Sequence, residues 1–182
     1  GKTVTTWGDL KTEVEKTSEG ADVIIVDGTL TADTSNDEIK VKRNVTIKGK
    51  DSSATLNANE KFRIFKVSNE VTLKLKDITL KKAKKDSGAG VHVTGGSLEL
   101  ENVTITECKN NANSGEGGAI YISNSSDRRL LIKGNSKIEN NQAELGAGIY
   151  IDITSGENII EGNAEIRGNI CQSNGQGGCI YL

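Results

Sequence analysis

His92, Tyr121, Tyr150 and Tyr181 occupy one slot of a six-residue phrase that recurs four times: Gly88-Ala89-Gly90-Val91-His92-Val93, Gly117-Gly118-Ala119-Ile120-Tyr121-Ile122, Gly146-Ala147-Gly148-Ile149-Tyr150-Ile151 and Gly177-Gly178-Cys179-Ile180-Tyr181-Leu182. Rings at such regular spacing fall into a column when the phrase is a structural repeat. A column of phenols combines apolar faces with hydroxyls, which suits stacking on sugar rings or seating a partner's side chains. The competing reading is that the rings pack on one another and stiffen the surface, as cross-strand pairs do. Lys81, Lys82, Lys84 and Lys85 make the second candidate. A basic turn of this kind attracts sulfated or uronic glycans and anionic lipid headgroups. Nucleic acid is not expected, because the lysines lack aromatic interleaving and no known binding module accompanies them. The alternative is a solvated face whose lysines keep sheet edges from pairing.

Other chemistries are poorly served. With His92 as the single histidine, a Ser–His–Asp arrangement has one place to form, and no Gly-x-Ser-x-Gly elbow is present. Gly115-Glu116-Gly117-Gly118 lacks the Lys-Ser/Thr of a phosphate loop. No catalytic residue is therefore assigned. Cys108, Cys171 and Cys179 form no C-x-x-C pair, so zinc spacing is absent. They are expected as buried or half-buried thiols, with a Cys171–Cys179 bridge left open. Asp77, Asn102, Asn135 and Asn163 recur at the start of the third strand of each repeat, where side-chain amides bond along a column and satisfy turn backbone. Calcium would need more carboxylates than Asp77 alone. No metal or cofactor is expected. Thr72, Thr79 and Thr104 are read as sharing no column, which argues against a flat Thr-x-Thr face of the ice-binding kind.

The elements that position these groups follow from the period. The phrases lie 29, 29 and 31 residues apart, and the apolar pair inside them continues backwards through Phe65-Lys66-Val67 and Ile39-Lys40-Val41 at steps of 26. Each interval holds two further short stretches of period-two alternation, such as Leu98-Glu99-Leu100 and Val103-Thr104-Ile105. Three short strands per repeat, rich in Thr, Val, Ile, Asn and Gly and without Pro, predict an all-β parallel β-helix of about five coils with three parallel sheets. Alternation then sends Lys40, Lys66, His92 and the three tyrosines outward. It also places a trough of small residues, Gly90, Ala119, Gly148 and Cys179, beside them. Trp7, Leu10 and Val14 mark one apolar stripe of a short amphipathic helix, so residues 1–22 form an N-terminal helical cap and 23–182 the coils of a single solenoid domain.

The totals agree with a narrow core: 34% apolar and 3% aromatic residues, with 21 Gly. Charge is segregated along the chain, with 3 basic and 9 acidic residues in 1–38, 14 and 4 in 39–85, and 6 and 12 in 86–182. The middle third is thus a cationic belt, which includes Lys40, Lys42, Arg43, Lys48, Lys50, Lys74 and Lys76 beside the lysine turn. No apolar run reaches the ~18 residues of a membrane helix. The repeat stops at Leu182, on the last residue of a phrase that elsewhere opens a coil. The natural protein is expected to continue, with any membrane contact in the missing C-terminal regions and the open last coil able to self-associate.

The Gly-Gly-Ala-Ile phrase at 117–120, with its variants at 88, 146 and 177, resembles the repeat signature of the polymorphic outer membrane proteins, bacterial surface proteins of the autotransporter type. Their companion F-x-x-N signature is echoed by Ile138-Glu139-Asn140-Asn141 and Ile166-Arg167-Gly168-Asn169. Asp22 to Thr29, followed by Val45-Thr46-Ile47-Lys48-Gly49, is similar to the start of pectate-lyase-like right-handed β-helices. The resemblance implies a right-handed coil. It also implies a bacterial cell-surface, outer-membrane or secreted location and a role in adhesion to a host surface protein or an anionic glycan. The clustered Asp residues of the pectin-degrading members are absent, and Arg63 has no acidic cluster beside it in sequence. A non-catalytic surface module is therefore the expectation. A polysaccharide lyase or hydrolase whose catalytic coils lie outside this stretch, and a purely structural stalk, are the alternatives.

Overall fold

The computed structural model describes residues 1–68, 70–110, 115–123, 129–152 and 156–182, with backbone alone for 173–176. Each turn of the chain lays one strand on each of three parallel sheets, over about five turns. Sheet A has seven strands: Lys2–Val4, Val23–Val26, Val45–Gly49, Thr72–Lys76, Ser97–Glu101, Arg129–Lys133 and Glu157–Ile160. Sheet B has six: Thr29–Thr31, Thr55–Asn57, Thr79–Lys81, Thr104–Thr106, Lys137–Glu139 and Glu165–Arg167. Sheet C has six: Ile39–Val41, Phe65–Val67, Val91–Thr94, Ile120–Ser123, Ile149–Asp152 and Ile180–Tyr181. The solenoid expected from the period is the fold observed.

Register follows the repeat. Ile39, Phe65, Val91, Ile120, Ile149 and Ile180 are consecutive partners across sheet C. Strand side chains alternate, so the first and third members of each sheet C strand face the interior, and Ile39, Phe65, Val91, Ile120 and Ile149 are fully buried. Burying one such aliphatic side chain contributes roughly 1.5–3 kcal/mol, and the coils repeat this on all three walls. The first glycine of each phrase makes the turn into sheet C: Gly88, Gly117, Gly146 and Gly177 have φ of 51°, 62°, 54° and 64°. That left-handed conformation is close to free for glycine and strained for most other residues.

The N-terminal cap is the helix Trp7–Val14, with Thr6 at its N-cap accepting from the Asp9 N–H at 3.1 Å. Trp7, Leu10 and Val14 are buried over the first coil, and the Trp7 ring meets Phe62 edge-on at 5.5 Å. Arg43 clamps the helix end by donating to the carbonyls of Glu13, Lys16 and Ala21. Two elements escaped the sequence pattern. Lys2–Val4 pairs with Val23–Val26, and Gln142–Leu145 pairs with Ile170–Gln176 in a fourth, two-stranded sheet. A three-residue strand with one apolar side chain has no alternation to read, and the Gln142–Leu145 pairing is interrupted by an irregular register. No helix among the described residues is long and apolar enough to cross a membrane.

Glu13 ties the cap together. Its carboxylate accepts from Lys16 Nζ and Lys2 Nζ, both at 2.8 Å, and from the Ala21 N–H at 2.7 Å, which hold its pKa down at about 2. A carboxylate depressed in the folded state contributes stability above its unfolded pKa of about 4.3, and that stability is lost as pH falls through about 2. The melting temperature should therefore drop between about pH 5 and pH 2, and Glu13→Gln should flatten that slope while lowering stability at pH 7. An unchanged slope in the variant would remove Glu13 as the acid-sensitive group.

Candidate functional site

The exterior of sheet C carries the expected column. Lys40, Lys66, His92, Tyr121, Tyr150 and Tyr181 are consecutive register partners. Tyr121 and Tyr150 stack with centroids 5.2 Å apart and planes 15° apart, and Tyr150 and Tyr181 with 4.9 Å and 4°. His92 closes the stack edge-on against Tyr121 at 4.7 Å. The rings follow the rung spacing of the sheet, about 4.8 Å, so their faces cover one another. What the column presents outward is ring edges and hydroxyls, and the geometry favours the stiffening ladder over a row of sugar platforms.

The small residues beside the column form no trough. Gly90, Ala119 and Gly148 are buried, and only Cys179, in the last coil, is exposed. Strand alternation does not reach these positions, which lie in the turn before each strand, where Gly90, Ala119 and Gly148 face inward. A Cβ on Gly90 or Gly148 would meet Ile105 Cγ2 at 3.0 Å or Ile166 Cγ2 at 3.2 Å, both on sheet B. Of the other thiols, Cys108 is buried, which pushes its pKa up to about 12, and Cys171 is half-buried.

His92 is less exposed than a flat exterior strand suggests. Ser87 Oγ lies 3.4 Å from Nδ1, and Nε2 is buried without a hydrogen-bond partner among the described residues. Burial, then the charges of Arg63 and Lys66, pull its pKa down to about 3. Its folded-state pKa thus lies below the unfolded value of about 6.5. The neutral form persists through physiological pH, and folding becomes less favourable as pH falls from 6.5 towards 3. In an NMR titration the His92 ring resonances should stay constant between pH 7 and pH 5. A midpoint near 6.5 would mean that the ring is solvated.

Part of the cationic belt is compensated between coils. Lys74 pairs with Glu99, Lys76 with Glu101 and Lys82 with Glu107, each on the following turn, and Lys50 pairs with Asp27 on the preceding one. Further along, Lys133 shares Glu101, and Arg167 pairs with Glu139. At these positions charge segregated along the sequence becomes charge alternation between coils. Within the lysine turn, Lys81, Lys84 and Lys85 have no ion pair among the described residues, and Lys85 is exposed. Lys84 and Lys109 are bridged in register, and Lys109 binds Glu60 at 2.9 Å.

The Asp77, Asn102, Asn135 and Asn163 column exists in two halves, and it lies in the turns before the sheet B strands. Asn102 Nδ2 donates to Asp77 Oδ1 at 2.9 Å, and Asn163 Nδ2 to Asn135 Oδ1 at 3.2 Å. The halves join where the Asn135 N–H donates to Asn102 Oδ1 at 2.9 Å. Gly134 and Gly162 take the left-handed corner that Asp77 and Asn102 occupy in earlier coils, which offsets the later amides by one residue. Among the described residues no group of three or more His, Cys, Asp or Glu is placed to hold a metal ion.

A threonine column is present on sheet B. Thr29, Thr55, Thr79 and Thr104 are direct register partners, so Thr79 and Thr104 do align, contrary to the sequence expectation. The second outward column reads Thr31, Asn57, Lys81 and Thr106, and Lys81 interrupts any flat hydroxyl face. Thr72 lies on sheet A. The β-branched threonines suit a solvent-facing strand, and cross-strand Thr pairs are mildly stabilising.

Two polar groups inside the fold carried little sequence signal. Arg63, 6% exposed, reaches from the turn before Phe65–Val67 to Glu38 and to the carbonyls of Ser87 and Gly88. Asn141 and Asn169 form a ladder at the corner after sheet B. Their trace was the Ile-x-x-Asn echo at 138–141 and 166–169. No family model matches this chain, and neither a curated protein nor a solved structure matches it.

Proposed function

We propose that this chain is a non-catalytic interaction module of a bacterial surface-exposed or secreted protein, of the autotransporter-passenger kind, that meets an anionic glycan through the lysine turn. The observation that carries the proposal is the residual charge there. Lys50, Lys74, Lys76 and Lys82 are paired with carboxylates of neighbouring coils, whereas Lys81, Lys84 and Lys85, within five residues of one another, have no ion pair among the described residues. Flexible point charges on a rigid edge suit sulfate or uronate groups spaced along a polymer. His92 supports the non-catalytic half: held neutral with no carboxylate bonded to it, it is not tuned for acid–base work near neutral pH.

The test is a screen against immobilised heparin-like and uronic glycans, repeated with Lys81→Glu/Lys84→Glu/Lys85→Glu. Binding should weaken with salt and fall at least about tenfold in the variant. Equal binding by the variant would remove the lysine turn as the contact. Unsaturated or reducing-end products released from the same glycans would overturn the non-catalytic reading.

A further inference from the structure

Sheet C is organised differently from the charge-cancelling walls beside it. Lys40 and Lys66 are register partners, about 4.8 Å apart along the rod. Neither has an ion pair among the described residues. Sheet A also sets Lys48 against Lys76, but there Lys76 binds Glu101. At the other end of the face, Glu116 and Asp152 lie near the Tyr121–Tyr150 stack and act on both rings and on each other. Neither carboxylate has an ion pair among the described residues either. Like charges placed side by side destabilise a sheet, and the fold keeps a cationic pair and an anionic pair two to four rungs apart on one strip.

His92 occupies the rung between them. Counting outward from it, Lys66 is one rung before and Tyr121, beside Glu116, one rung after. Lys40 is two rungs before, and Tyr150, whose strand carries Asp152, two rungs after. A twofold axis through that rung therefore places Lys66 of one copy over the Tyr121 rung of the other, where Glu116 flanks the strand, and Lys40 over the Tyr150 rung, where Asp152 lies two residues along the strand.

We propose that sheet C is an isologous docking face for a second copy of this chain, packed antiparallel so that Lys40 and Lys66 of each protomer meet Asp152 and Glu116 of the other. A twofold axis makes every contact twice. Four ion pairs then form from charges that have no ion pair among the described residues of the single chain. His92 meets its symmetry mate as a neutral ring, and the tyrosine edges line the contact between the charges. The lysine turn used in the proposed glycan contact belongs to other positions, so the two proposals fail separately.

Sedimentation velocity on the purified chain, from about 10 µM to about 500 µM at low salt, reads the association. The mass should rise from 19.3 kDa towards twice that value, and return to the monomer value near 1 M salt, where the screening length is about 3 Å. Lys40→Glu/Lys66→Glu should weaken the dimer at least about tenfold, and so should Glu116→Lys/Asp152→Lys. Mixing the two variants restores opposite charge at every contact, so a heterodimer tighter than either homodimer is expected. Circular dichroism and melting of each variant confirm that it is folded before mixing. A chain that stays monomeric at low salt overturns the proposal. So does a dimer that survives both pairs of substitutions, which would assign the contact to another surface, the open last coil included.

Discussion

Arg63→Leu should lose about 3–5 kcal/mol of stability, the cost of leaving a charge and its acceptors without their buried partner. The guanidinium is 6% exposed. Nη1 donates to Glu38 Oε2 at 2.8 Å, Nη2 to the Ser87 carbonyl at 2.8 Å, and Nε to the Gly88 carbonyl at 3.1 Å. One side chain thereby joins the turn before Ile39–Val41 to the turn that leads into Val91–Thr94. Burial lowers its pKa from the ordinary arginine value while Glu38 and Asp86 raise it, and the ordinary value is so high that the group remains charged. Leucine fills part of the volume and supplies no donor, so both carbonyls and Glu38 lose their bonds. Lysine keeps the charge but not the planar fork, and Arg63→Lys should fall between wild type and leucine.

Urea denaturation of the two variants and of Arg63→Leu/Glu38→Leu distinguishes a lost bond from an orphaned charge. The double variant should recover part of the loss, because it removes the unpaired carboxylate with the cation. A single Arg63→Leu variant within about 1 kcal/mol of wild type would mean that water satisfies the turn unaided. Because Ser87 lies beside His92, loosening this turn should also hydrate the ring and raise its pKa towards the ordinary value, which the NMR titration reads independently.

The sequence disclosed what periodicity encodes and little of what depends on contact between turns. The apolar ladder from Ile39 to Ile180 was readable because each rung repeats the same inward choice at nearly constant spacing. The tyrosine column followed from it, since side chains next to inward residues on a strand face out. The same rule failed at Gly90, Ala119 and Gly148, where the chain turns and alternation no longer holds. Sheet B's threonine column was missed because Thr29, Thr55, Thr79 and Thr104 are spaced at 26, 24 and 25 residues and one neighbour in the parallel column is a lysine. The charge belt looked like one patch because a linear count cannot pair Lys74 with Glu99 or Lys76 with Glu101 until the coil length is known. Arg63 was hardest to place, as Glu38 and Ser87 lie 25 and 24 residues from it, one turn away in each direction.

Asn141 is the second position where a large effect is expected. It is fully buried, and it follows Ala83 and Cys108 in the column of second residues after the sheet B strands, with Asn169 on the next coil. Its Oδ1 accepts the Cys108 N–H at 2.9 Å, and its Nδ2 donates to the Ile105 carbonyl at 3.0 Å and to Asn169 Oδ1 at 3.0 Å. Asn169 repeats the arrangement one rung on, taking the Asn141 N–H and donating to the Ile138 carbonyl. The amide suits this site because it has a donor and an acceptor on one planar head, and the corner offers one of each per coil. Asn141→Leu has nearly the same volume and orphans two buried backbone groups, at about 1–3 kcal/mol each. Asn141→Asp is the sharper test. Its carboxylate still accepts from Cys108, but its second oxygen faces the Ile105 carbonyl and Asn169 Oδ1, both acceptors. Only the protonated acid restores the donor, so the aspartate pKa must rise in the folded state. Its stability is then greatest below the unfolded value of about 3.9 and is lost as pH rises through the raised folded value. The deficit of Asn141→Asp relative to wild type should therefore be small near pH 3 and large at pH 7, while Asn141→Leu should show a deficit that does not vary with pH. Parallel pH profiles for Asn141→Asp and wild type would mean that the ladder does not require a donor at that nitrogen.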